Sequence, residues 1–384
     1  MNNFEIKRNV CSVIVGSDGS EYPSIRKLSK HIHKNRDGIA DTLKLNGFYK
    51  YNGVTYTFKN PIPKQISAEE NDKNAEMEAL INDPEFQNFK KFKDVESLPF
   101  EKFEFKAKNR VAGRRYAIAL FSDVHIEETV TADSVLGKNE YNIEVAKQRI
   151  ERYFDNLAAC LNTDGVERLI FASLGDTISG YIHDELAQTN GLSPLEATWV
   201  AQNLIISGLD FLCNNTKLKQ IQFIGIVGNH SRTTKKIQHA NAVKMSYEWL
   251  MYKNIEKYCS GAKLPIEFNI PDSELAIVDT DDNRRFIFCH GYQIRGSGTG
   301  TVCGIYPALN RLSLKWNNTF DQDRIFLGHF HSYTSIPNAA VNGSIIGYNT
   351  FAMSNGFSYE EPCQYYVVYD TEFGELLERK IYCR

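Results

Sequence analysis

The sequence predicts an α/β body with covered sheet faces, preceded by a small helical head that ends in a hairpin. Three observations carry this. From Arg115 onward, apolar runs alternate with amphipathic stretches, the rhythm of strands and helices packed in layers. Residues 61–110 are dense in charge and broken by Pro61, Pro63, Pro84 and Pro99, which separates head from body. In the head, "FYKYNGVTYTF" sets aromatic and β-branched residues on both sides of Asn52-Gly53, a strong hairpin signal.

In chain order, Ile25, Leu28 and Ile32 mark a first short helical stripe. After "KHIHKN", Ile39, Leu43 and the nearby Leu45 mark a second, closed by Gly47. Two short helices and a hairpin resemble a winged helix-turn-helix, similar to the small DNA-binding modules appended to mobile-element and phage nucleases. The resemblance implies that Lys34, Asn35, Arg36 and Lys44 meet the phosphates and grooves of DNA. Charge agrees: residues 1–60 hold ten Lys/Arg against five Asp/Glu, while the rest hold thirty-four against forty-two. The other reading is a packing or dimerisation domain with a solvated basic face. Residues 61–110 read as a linker with one polar helix, roughly Ala68 to Ile81, so the expected domains are 1–60, 61–110 and 111–384.

In the body, "RYAIALFSD", "VERLIFASLGD" and "IQFIGIVGNH" read as buried strands. Between them lie two long helices, "YNIEVAKQRIERYFDNLAACLN" and "SPLEATWVAQNLIISGLDFLCNN", the second with Ser193 as cap and Pro194 at its first position. Later segments read mostly as strands: "ELAIVD", "RRFIFCHG", "DRIFLGHF", "SIIGYNTF" and "CQYYVVYD". Hydrophobic content of 42% and charged content of 24% suit a soluble globular chain. No apolar run is long enough to span a bilayer, and the N-terminus lacks a signal-peptide pattern, so the expectation is a cytoplasmic protein with no membrane partner. Eight scattered cysteines with no C-x-x-C pair read as reduced thiols and argue against a thiolate zinc site. Nothing in the sequence sets an oligomeric state.

Five strand-like runs end in metal-capable residues: "FSDVHIE", "LGDTISG", "VGNHSR", "FCHGY" and "LGHFHSY". Five of the nine histidines stand at these ends. In α/β sheets, ligands bind outside the carboxyl ends of strands, so the five ends are expected to converge. Singly each motif is weak; in this order, chance would need five coincidences.

The series D-x-H, G-D, G-N-H, H-G, G-H-x-H resembles the calcineurin-like metallophosphoesterase superfamily over about residues 115–335, with the DNA-repair exonuclease branch as the nearest. The resemblance implies a four-layer αββα sandwich and a two-metal site. Asp123, His125 and His331 would hold one ion; Asn229, His290 and His329 the other; Asp176 would bridge both. Carboxylate, amide oxygen and imidazole suit Mn²⁺ first, with Fe, Zn or Ni also fitting. The implied chemistry is phosphodiester hydrolysis by a metal-bridging hydroxide, with His230 protonating the leaving oxygen. One position departs from the family pattern: Ser231 and then Arg232 follow His230, where an acidic residue is common. Arg232 reads either as a phosphate contact or as an ordinary surface charge. Arg295, in the glycine-rich stretch after His290, and His183 are further candidates for substrate contact; His183 reads first as part of a capped helix start.

Joined to a DNA-reading head, this chemistry implies a DNA nuclease, exo- or endonuclease. Only about fifty residues follow His331, too few for the capping domain usual in the exonuclease branch. The alternatives are a small-nucleotide or cyclic-nucleotide phosphodiesterase or phosphatase, with the head used for assembly, and a DNA-binding regulator with a degenerate body. Every metal-ligand position is filled, which counts against the last.

Overall fold

A computed structural model describes residues 13–59, 113–294 and 305–384, together with Ala75, Ala79 and Asn82, which are helical. The chain divides into two compact units, Met1–Lys106 and Ala107–Arg384. The expected helix from Ala68 to Ile81 otherwise lies outside the described residues.

In the first unit, β1 (Ile14–Gly16) and β2 (Glu21–Tyr22) precede α1 (Ile25–His31) and α2 (Arg36–Asn46); β3 (Phe48–Tyr51) and β4 (Val54–Phe58) follow. Ser24 caps α1 and Gly47, at φ 76°, closes α2. Asn52 and Gly53 both take positive φ, the requirement of a tight type I′ hairpin. The expected helices and hairpin are present, but the winged-helix reading omitted β1 and β2. The strands form one antiparallel sheet, ordered β2-β1-β4-β3, so a lone wing is not what the helices pack on. Ile14, Leu28, Ile32, Ile39, Leu43 and Tyr56 make the core. Leu45, expected on the apolar stripe, is 84% exposed. Two residues beyond Leu43, it falls on the far side of a 3.6-residue helix.

The second unit contains two sheets. One is ordered β15-β14-β5-β6-β7-β8, from β5 (Arg115–Phe121), β6 (Arg168–Ser173), β7 (Gln220–Gly225), β8 (Ile266–Asn269), β14 (Cys363–Asp370) and β15 (Gly374–Tyr382). The other is ordered β12-β13-β11-β10-β9, from β9 (Leu275–Asp279), β10 (Arg285–Cys289), β11 (Arg324–Leu327), β12 (Thr334–Ile336) and β13 (Ala339–Val341). Strands β5 to β8 run parallel, as do β10, β11 and β13; antiparallel strands close the other edges.

Side-chain alternation makes the layers. Ile118 and Leu120 of β5 face inward, packing with Phe286, Phe288 and Phe326 of the second sheet. Ala117, Ala119 and Phe121 face outward onto α3 (Ile143–Asp164), α4 (Pro194–Asn215) and α5 (Tyr247–Gly261). On the opposite outer face, Ile287, Ile325 and Leu327 pack against Leu309 of α6 (Tyr306–Phe320). The body is thus the four-layer αββα sandwich. Asn142 caps α3, and Ser193 with Glu196 forms a capping box on α4.

"SIIGYNTF" is not a strand. The amides of Ile345 and Ile346 turn to the Asp123 carbonyl, Gly347 takes φ 74°, and Asn349 caps a short helix, Thr350–Ser354. The buried isoleucines that suggested a strand are seating a loop beneath the D-x-H motif. Helices α5 and α6 and strands β8, β12, β13 and β15 were not read from the sequence. Among the described residues, no helix is long and apolar enough to cross a membrane.

Candidate metal centre

The five motifs leave the carboxyl ends of β5, β6, β7, β10 and β11, all members of parallel ladders, and meet at one edge of the sandwich. The amide of Asp123 donates to the Gly175 carbonyl at 3.1 Å, and those of Val124 and His125 donate to the Asp176 carbonyl at 2.9 and 3.1 Å. Between β6 and β7 the loops nearly touch: a Cβ on Gly228 would stand 2.1 Å from Oδ1 of Asp176, so only glycine fits.

Two donor groups result. Asp123, His125 and His331 form one, and Asp176, His290 and His329 the other, with the ligand atoms of each group within 4.8 Å of one another. Oδ1 of Asn229 lies 3.1 Å from Nε2 of His290, which places it at the second group. His329 and His331 separate because both take left-handed backbone, φ 72° and 51°, just after Gly328. A Cβ on Gly328 would meet Oδ2 of Asp123 at 2.6 Å. The ring of His331 turns to His125, centroids 5.0 Å apart, and that of His329 to His290, 5.1 Å apart. Asp123, His125 and Asp176 are also left-handed. Uncommon backbone in non-glycine residues, gathered in one place, marks a site whose surroundings over-determine it.

The donors fit divalent cations. Nε2 of His125 and Nε2 of His331 face each other at 3.2 Å, which is favourable only with a cation or a proton between their lone pairs. Burial lowers His290, but Asp176, 2.9 Å away, outweighs this and raises it to about 9. Burial likewise opposes the rise of His331, which Asp123 prevails in raising. Burial, then its histidine neighbours, drives His125 well down; burial and His290 bring His329 to about 4. Each carboxylate therefore favours positive charge in its group, the electrostatic setting a metal ion requires.

Hydrogen bonds aim the rings. Nδ1 of His290 lies 2.6 Å from the Leu174 carbonyl, leaving Nε2 for a ligand role. Ser179 serves two rings: its Oγ lies 2.9 Å from Nδ1 of His125, and its carbonyl 3.0 Å from Nδ1 of His230. The His230 amide also donates to Oδ1 of Asp176 at 2.8 Å. Half-buried His230 thus keeps Nε2 for an incoming molecule, while burial lowers its pKa. His183 is exposed, its ring centroid 6.0 Å from that of His230, beside the same approach.

Two buried carboxylates escaped the sequence reading. Glu248, in the first turn of α5, accepts from the Thr177 amide at 2.6 Å, the Gly228 amide at 2.7 Å and the Ser231 hydroxyl at 2.7 Å. It binds together the loops that carry Asp176 and Asn229. The acid expected after His230 is supplied from the next helix, and Ser231 hands on the bond. Burial and then Asp176 raise the Glu248 pKa. Glu127 accepts from the Ser179 and Gly180 amides through Oε1 at 2.9 and 2.8 Å, while its buried Oε2 has no partner. Burial raises Glu127 to about 7. Glu248 follows a helix-capping serine and looks like an ordinary first-turn acid; Glu127, two residues after His125, offered the only linear hint.

The remaining candidates divide. The Arg232 guanidinium donates to the carbonyls of Asn229, Thr234 and Lys235, so it holds its own loop. Arg295 lies outside the described residues. In the head, Lys34 lies over the Tyr51 ring at 5.3 Å, and the Asn35 side chain caps α2 by accepting from the Asp37 amide. Arg36 pairs with Asp37 at 2.9 Å, an exposed pair worth little. The Lys44 side chain is outside the description.

Neither a family model nor a curated protein sequence matches this chain. Among solved structures it is similar to a point variant of Vps29 from Entamoeba histolytica, with 11% identity over 69% of this chain and 97% of that one, TM-score 0.29. It is also similar to the calcineurin-like phosphoesterase YfkN from Bacillus subtilis, with 11% identity over 66% and 84%, TM-score 0.24. A third is GAP50, the anchor in the inner membrane complex of Plasmodium, with 9% identity over 70% and 89%, TM-score 0.28. Likenesses this faint carry no weight beside the site itself.

Proposed function

We propose that the body is a two-metal phosphodiesterase and that the chain is a DNA nuclease. One observation carries the first part: five strand ends deliver two adjacent groups of carboxylate and imidazole donors, with a half-buried histidine beside them. Asp123, His125 and His331 would hold one ion; Asn229, His290 and His329 the second; Asp176 would serve both. A pair of divalent ions there supplies Lewis acidity toward a phosphoryl oxygen and a water of lowered pKa. The chain's own residues do the rest. Glu248 and Glu127 hold the loops, Ser179 orients two rings, and His230 exchanges a proton through Nε2 with the oxygen that leaves. Support for DNA as substrate is the cationic head, with its exposed lysines and arginines on and beside its two helices.

The test is one set of assays with Mn²⁺: linear duplex, circular single-stranded DNA, a cyclic dinucleotide and a bis-aryl phosphate. Cleavage of either DNA, lost in Asp176→Asn, is expected. Turnover of the small esters with no cleavage of DNA would remove the nuclease reading and leave the phosphodiesterase one. No hydrolysis of any of them would remove both.

A further inference from the structure

Residues 231–246, "SRTTKKIQHANAVKMS", contain four Lys/Arg and no Asp/Glu, within a body whose balance is acidic. They begin at the residue after His230 and run to the cap of α5. The segment is a pinned strap. Its base is closed by a bridge between Arg232 and Ser246, with the Thr233 amide donating to Met245 and the Tyr247 amide to Ser231. Val243 is buried in the main core. His239 lies 3.3 Å from Glu274, and Lys244 pairs with Asp272 at 2.9 Å. Arg232 is spent on the strap's own carbonyls. Lys235 and Lys236 remain, both exposed, and among the described residues neither makes an ion pair. The Thr234 hydroxyl donates to the Lys236 carbonyl at 2.7 Å and fixes the backbone there.

The strap forms one wall of a narrow cleft that also contains Gly228, Asn229 and Tyr292. A metal-ligand candidate and the strap thus share one cleft. Lys235 and Lys236 stand in the strap between Thr234 and Ile237, which both line that cleft, so they offer charge to a substrate that continues past the donor groups. We propose that Lys235 and Lys236 bind the flanking phosphates of a nucleic-acid strand and lead it across the donor groups. This deepens the nuclease reading and rests on it.

The test measures binding without catalysis. The full chain, in EDTA, is titrated against a fluorescein-labelled single-stranded oligonucleotide at several salt concentrations, beside the Lys235→Ala/Lys236→Ala variant. Each lost phosphate contact on a single strand removes about 0.7 from the slope of log affinity against log salt. The double variant is expected to bind more weakly at low salt, with a slope smaller by about 1.4. A head that also binds DNA contributes equally to both proteins and cancels from that difference. An unchanged slope overturns the proposal, and so does a wild-type chain that does not bind. Thermal melting checks that the variant is folded; should it not be, each single replacement is expected to take about 0.7 from the slope. A chain that binds through the strap but cleaves nothing with Mn²⁺ would sink the hydrolase reading and leave the strap standing. A chain that cleaves DNA with an unaltered slope would do the reverse.

Discussion

Replacing Glu248 by glutamine tests whether the borrowed carboxylate sets the donor geometry. Its two oxygens accept three bonds, one from Thr177 and two from Gly228 and Ser231. Glutamine keeps the shape but offers one accepting oxygen and one NH₂. The Ser231 hydroxyl can rotate to accept; the backbone amides cannot. In either orientation one buried N–H faces another donor. Leaving it unpaired costs about 1–3 kcal/mol, and the surviving bonds lose their charge assistance. The E248Q variant is therefore expected to lose about 2 kcal/mol of unfolding free energy in urea, measured in EDTA. Thr177 follows Asp176 and Gly228 precedes Asn229, so the same loss loosens two ligand loops. Outer partners of this kind change metal affinity by about 10–100-fold, and calorimetric titration with Mn²⁺ should show that weakening. A variant that loses stability but binds Mn²⁺ within about threefold of wild type would refute the positioning role and leave Glu248 a structural residue. Unchanged stability would refute the bonding pattern itself.

The Glu127 carboxyl, raised to about 7 from an ordinary 4.5, gives stability that is fully present below 4.5 and is lost as pH rises through 7. In metal-free protein that loss is about 3 kcal/mol by pH 8, and Glu127→Gln should flatten the curve; parallel curves would contradict the shift. Asp176→Asn removes the one carboxylate assigned to both ions, so Mn²⁺ bound per chain should fall to one or fewer by elemental analysis, and two tightly held ions would disprove the bridge. His230→Ala should retain its Mn²⁺ while kcat falls about 10²–10⁴-fold, and a loss of metal instead would make His230 a ligand.

The sequence showed the strand ends because buried parallel strands read as continuous apolar runs, and a ligand breaks such a run visibly. Asp123, Asp176, Asn229 and His290 could be seen in that way, each on its own. That His329 and His331 part company was legible only through the resemblance and not from their spacing: a strand would have pointed both in one direction, and the left-handed turns after Gly328 separate them. Glu248 was invisible for another reason. It stands seventeen residues beyond Ser231, across the strap, and reaches the site only when α5 docks. Strands β1 and β2 were too short to announce themselves, at three residues and two. "SIIGYNTF" failed in the opposite sense, since burial without alternation suits a seated loop as well as a strand.

The left-handed donor residues and the buried acids belong to one design. A non-glycine residue in that conformation costs on the order of 1–2 kcal/mol, and Asp123, His125, Asp176, His329 and His331 all adopt it. Such a backbone persists only where neighbours over-determine it. Here the neighbours can be named. The His329 amide donates to both oxygens of Asp123, each at 3.0 Å, and the Asp176 carbonyl takes the two amides after Asp123. Glu127 and Glu248, themselves costly to bury, hold the amides of Ser179, Gly180, Thr177 and Gly228. A site meant only to pack would have no use for strained backbone and buried carboxylates together. Both become useful where several donors must converge on cations, because a divalent charge offsets the repulsion that the acids impose on one another. Removal of the ions should therefore loosen the edge of the sandwich more than its core. The layered packing of Ile118, Phe288 and Phe326 makes no use of them.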